Sequence, residues 1–163
     1  MSNQVVIELF KKELFQCLDE TFERHHGIYL DKGTSLLETL ESVSAEDASC
    51  PIAQGCAPIA AHVEHVRFYL DVLNDMMRKK EVTKVDWREI WQNVRGVTPE
   101  EWEEMKRRLQ ASYHRVLTTM ENYEKWEGEY GVSGSLAVLV HTAYHLGGIR
   151  QALCAIKSAK GRD

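Results

Sequence analysis

Apolar residues return every three or four positions along nearly the whole chain, the period of helices with one buried face. In the first stretch, about Asn3 to His26, Phe10, Leu14, Cys17, Leu18, Thr21 and Phe22 fall on one side. A short helix is expected near Ser35 to Val43, where Ser35 and Glu38 have capping-box spacing. A loop with Cys50, Pro51 and Gly55 leads to a second long helix, about Pro58 to Arg78. Its stripe runs Ile59, His62, Val66, Tyr69, Leu73, Met77. A shorter piece near Asp86 to Val94 precedes the third long helix, about Pro99 to Glu127, with Thr98 as N-cap, Pro99 at the first position and Glu101 completing a capping box. The fourth, about Ser133 to Ala159, follows the turn GEYGVSG.

No strand-like alternation, repeat or long low-complexity segment interrupts this pattern. Four amphipathic helices with few breakers predict an all-α four-helix bundle with short extra helices in its connections. The link of roughly 30 residues between the first two long helices leaves room for a crossover. A single domain over residues 1–163 is expected, with residues 160–163 a frayed tail. Trp87, Trp91, Trp102, Tyr113, Tyr123 and Trp126, at helical spacing, are expected in core and interhelix packing. The run EEWEEMKRR reads as charged helix surface.

Composition narrows the classes. Hydrophobic residues make up 44% and charged residues 28% of the chain, and the net charge is −5. That balance supplies no basic footprint for nucleic acid or anionic membrane. No apolar run approaches the ~20 residues of a membrane span. Charges interrupt MSNQVVIELFKKELFQ where a signal peptide would be apolar, so a cytoplasmic protein is expected. Cys17, Cys50, Cys56 and Cys154 have neither disulfide-framework nor CxxC spacing. Cys56, near a helix start, reads as a loop or core residue.

The remaining signal lies in the seven histidines. By helical projection His62 lies within about 30° of the centre of its stripe and His65 roughly 90° away, at the margin. On the fourth helix His141 and His145 fall about 40° apart and share a face with Val138, Gly148 and Ala152. The small residues leave space before the rings. A single histidine on an apolar face is usually a core residue that has found a partner. Three inward histidines each need one, and an unpaired buried polar group costs about 1–3 kcal/mol. A metal ion satisfies a nitrogen on all three, and an i,i+4 pair with a third imidazole from a facing helix makes a facial site with open positions. His25 and His26 sit at a helix C-terminus, where positive charge suits the dipole, and His114 lies on mixed surface.

The motif HTAYHLGGIRQ late in the last helix, with PIAAHVEHVRFYL early in the second, resembles the DinB / YfiT-like superfamily of metal-dependent proteins, over nearly the whole chain. The resemblance implies a four-helix bundle in up-down-down-up order, a homodimer and a divalent metal, zinc or nickel first and manganese or iron next. Carried over by motif, the metal ligands are His62, His141 and His145, with His65 as rival to His62. Some relatives are S-transferases using low-molecular-weight thiols, and others are hydrolase-like or isomerase-like. The chain departs from the family where many members carry Gln, three residues after the last histidine. Here that position is Gly148.

The expected function is therefore a metal-dependent enzyme activating a thiol or water for transfer to, or hydrolysis of, a small molecule. The alternative is a non-catalytic dimerisation or regulatory module with a structural or vestigial metal site. A metal-free ligand-binding bundle is the third reading. No catalytic acid or base stands out: Glu64 projects away from His62, and Tyr69, on the His62 face, reads first as packing.

Overall fold

Hydroxyl side chains mark where the chain enters three of its helices. Thr98 accepts a hydrogen bond from the Glu101 amide while the Glu101 carboxylate takes the Thr98 amide, and Pro99 begins the helix. Ser35 and Glu38 make the same reciprocal pair, and Ser44 caps a further turn by accepting from the Asp47 amide. Each such cap satisfies amides that the helix itself leaves free, typically for about 1 kcal/mol.

The computed structural model describes residues 6–79, 84–123, 126 and 129–161. Its helices are α1 (Ile7–Phe22), α2 (Leu36–Glu41), α3 (Ala45–Ser49), α4 (Ile59–Lys79), α5 (Arg88–Asn93), α6 (Pro99–Glu121) and α7 (Gly134–Lys160). Among the described residues there is no strand. The expected helix start at Asn3, the expected end at Glu127, the first residue of the GEYGVSG turn and the tail residues 162–163 lie outside them. The described part of that turn is a π-helical segment, Glu129–Ser133, running straight into α7. No described helix is long and apolar enough to cross a membrane.

The first helix stops at Phe22, four residues short of the expected His26. The reason is Glu20, a carboxylate with no exposed surface. It accepts hydrogen bonds from the amides of Gly27, Ile28, Tyr29 and Leu30, so the chain curls back over the end of α1. Gly27 enters this curl at φ +79°, a conformation that costs other residues more than glycine. Burial alone would push the Glu20 carboxyl up, but the amides outweigh it and hold its pKa below the ordinary glutamate value.

The four long helices supply most of the core. Leu18 and Phe22 of α1, Val63, Val66 and Leu70 of α4, Leu109 and Val116 of α6, and Val138 and Ile149 of α7 are fully buried. Full burial of each such side chain stabilises by roughly 1.5–3 kcal/mol. Trp102 donates to the Val43 carbonyl at 2.8 Å, tying α6 to the turn after α2. Phe22 stacks on Tyr113 with centroids 3.9 Å apart.

Cross-contacts fix the helix directions. Arg108 pairs with Glu64, Arg115 with Asp71, and Thr119 with Asn74, so α4 and α6 run parallel. His62 meets His145 while Tyr69 meets His141, so α4 and α7 run antiparallel. Lys160 at the end of α7 reaches Asp47 of α3 at 2.8 Å.

Candidate metal centre

Helix α4 carries His62 and His65 three residues apart, and α7 carries His141 and His145 four apart, so each pair projects from one side of its helix. Because the helices are antiparallel neighbours, the pairs meet. Candidate ligand nitrogens of His65, His141 and His145 all lie within 4.8 Å of one another. Ring centroids are 5.1 Å apart for His65 and His141, 4.8 Å for His65 and His145, and 4.5 Å for His141 and His145. His62 adjoins this group through His145, Nδ1 to Nδ1 at 3.1 Å.

The burial of the α4 histidines corrects the projection. His65, expected at the margin, is 6% exposed, whereas His62, expected at the centre of the stripe, is only partly buried. The core face of α4 runs through Ile59, Val63, Val66, Leu70, Asn74 and Met77. His62, His65 and Tyr69 form a second face beside it, turned toward α7. His65 is covered there by Trp87 and Trp91 of the α4–α6 connection, with centroids 5.9 and 4.5 Å away. Burial imported from a distant segment leaves no trace in the period of α4.

Those two tryptophans supply the interhelix part of the packing expected of the aromatic residues. Trp102 and Tyr113 are core residues at 1% exposure, and Tyr123 and Trp126 pack against the core. Trp91 packs on imidazoles, and Trp87 lies against Tyr69, Phe68 and His65 of α4. Trp91 meets His62 edge-on at 5.2 Å and lies over His145 at 6.0 Å. Their four-residue spacing in a short amphipathic piece was the available signal. Tyr69 stacks face to face on His141 at 3.6 Å, and Tyr144, 76% exposed, stands edge-on to His145.

Two nitrogens decide what the cluster can hold. His65 Nδ1 and His141 Nε2 are buried and have no hydrogen-bond partner. Burial, and then the neighbouring imidazoles, depress the histidine pKa values, to about 4 for His141 and about 3 for His145. His62 and His65 are lowered in the same direction, chiefly by burial. All four rings are therefore neutral at pH 7, the form that offers a lone pair to a metal ion. The three-histidine donor set fits a divalent ion, and the unpartnered nitrogens are what such an ion would satisfy.

The other candidates lie elsewhere. Glu64 is held by Arg67 at 2.6 Å and approached by Arg108. His26 pairs with Asp19 and His114 with Glu23 at the surface. The four cysteines are free thiols, and none joins the histidine group.

Comparison with known proteins adds no family to this geometry. The chain matches no family model, and no curated protein or solved structure is significantly similar to it. What the site does rests on its own residues.

Proposed function

We propose that the chain is a divalent-metal-dependent enzyme of the DinB / YfiT-like kind, in which His65, His141 and His145 hold one ion. The observation that carries this reading is the convergence of three neutral imidazoles, two of them with buried, unpartnered nitrogens. A divalent ion bound there lowers the pKa of a coordinated thiol or water toward neutrality. The neutral donors leave the ion's positive charge intact, while Tyr69 and Trp91 keep the rings in place and shielded from water. Zinc or nickel suits an imidazole set best, with manganese or iron next.

Engagement of Glu64 by two arginines supports transfer of a low-molecular-weight thiol to a small electrophile over hydrolysis, which would need a free acid or base near the ion. The parallel α4–α6 and antiparallel α4–α7 pairs support an up-down-down-up four-helix bundle. Leu136, Val140 and Tyr144, exposed at four-residue spacing along α7, support a homodimer. Four free thiols accord with a reducing, cytoplasmic setting.

One observation favours the non-catalytic alternative, a dimerisation or regulatory module with a structural or vestigial ion: Trp91 lies over the site. The test is metal analysis of untagged protein purified without chelator, beside His65→Ala and His141→Ala, followed by a thiol-transfer assay with zinc and with nickel. Near-stoichiometric metal that both variants lose, with metal-dependent transfer, supports the enzyme. Metal that raises the melting temperature with no turnover supports the structural module. Absence of binding after addition of zinc, nickel and manganese rules out both.

A further inference from the structure

We propose that His62 is a positioning residue that hydrogen-bonds His145 and sets the tautomer in which His145 offers Nε2 to the ion. This rests on the metal reading of the cluster and deepens it.

The argument starts from the contact between like atoms, His62 Nδ1 and His145 Nδ1, 3.1 Å apart. Two such nitrogens attract only if one carries the proton and the other the lone pair. If His62 donates, the Nδ1 lone pair of His145 is consumed and its Nε2 carries the proton, so neutral His145 has no lone pair left to give. If His145 donates, its Nε2 is the lone-pair nitrogen. A ligand role for His145 therefore requires that His145 Nδ1–H donates to His62 Nδ1. The remaining donors are the two nitrogens without partners, His65 Nδ1 and His141 Nε2.

Trp91 and Gly148 are the neighbours of His62 on the other sides. Trp91 meets its ring edge-on, with an interplanar angle of 74°. Gly148 lies one turn from His145 on α7. A Cβ at that position would stand 3.8 Å from His62 Cε1, in ordinary contact, so any longer side chain directed at the ring would displace it. An outer partner that accepts the second N–H of a ligating histidine fixes its orientation and raises its basicity, and losing such a partner typically weakens metal affinity 10–100-fold.

The experiment is a Co2+ titration of chelator-treated full-length protein, read by its visible ligand-field absorption, with folding of every variant checked by circular dichroism. Wild type is expected to bind one Co2+, and His65→Ala to lose it. His62→Ala should keep one Co2+ with the wild-type band shape and intensity, about 10–100-fold more weakly. His62→Gln, whose amide oxygen can accept the same proton, should recover part of the affinity. Gly148→Leu, which retains all four histidines, should weaken binding in the same way and provides the test should His62→Ala fail to fold. A changed Co2+ spectrum or lost binding in folded His62→Ala would make His62 a ligand and overturn the proposal, as would wild-type affinity in both His62→Ala and Gly148→Leu. Failure of wild type to bind Co2+, Zn2+ or Ni2+ overturns the metal reading itself, and this proposal with it.

Discussion

Replacing His65 by leucine separates a histidine kept for a ligand from one kept for the fold, because the two roles give opposite signs in metal-free protein. His65 is 6% exposed and its Nδ1 has no partner, an arrangement that costs about 1–3 kcal/mol in the absence of an ion. Leucine removes that cost. Against the gain stands the loss of ring contacts, chiefly with Trp91 at 4.5 Å, and an aromatic pair contributes about 0.5–1.5 kcal/mol. The balance is a stabilisation of about 1 kcal/mol, or about 2–4 °C in Tm for a chain of this size. The assay is thermal unfolding followed by circular dichroism or calorimetry, with EDTA and then with zinc. At a zinc concentration of about 100 Kd the wild type gains about 2.7 kcal/mol and the variant gains nothing, so the order of the two Tm values reverses. A His65→Leu protein that melts several degrees below wild type in EDTA would refute the reasoning, since it would show His65 to be a satisfied structural residue.

Three further outcomes are expected. Glu20→Gln should cost about 1–3 kcal/mol at neutral pH, because charge-assisted bonds to the amides of residues 27–30 are lost. Since the folded pKa of Glu20 lies below the ordinary value of 4.5, its contribution is present above that value and lost as pH falls through the folded pKa. Urea unfolding from pH 7 to pH 3 should therefore show wild type and Glu20→Gln converging at the acid end. Trp102→Phe leaves the Val43 carbonyl without its 2.8 Å donor and should lower stability by about 1–3 kcal/mol with an unchanged urea m-value. Nickel should quench tryptophan emission in wild type and less of it in Trp91→Phe, since Trp91 lies over both His65 and His145 while Trp87 reaches only His65. Equal quenching in the two proteins would place the ion elsewhere.

The parts of this fold readable in the sequence are those set by local chemistry. Thr98, Pro99 and Glu101 specify the start of α6, and Ser35 with Glu38 specifies α2, because a cap is made within four residues. The shared face of His141 and His145 is likewise a property of one helix. The end of α1 was not readable, because it depends on Glu20 collecting amides from residues up to ten positions on. A glutamate on an apolar face looks like a breach of pattern until those partners are known. The order of His62 and His65 was hidden for a related reason. Periodicity describes how a helix meets the core, and His65 is buried by two tryptophans that arrive from another connection.

That connection is itself a consequence of the parallel run of α4 and α6. Two parallel helices cannot be joined by a tight turn. The chain must travel back along the 21 residues of α4, on the order of 30 Å, before α6 can begin. The return path passes the histidines and lays Trp87 and Trp91 against them. The topology thus requires a long return connection, and here that connection roofs the histidines. Changes in length or side chain between residues 84 and 97 can reshape the surroundings of the four imidazoles without altering any of them.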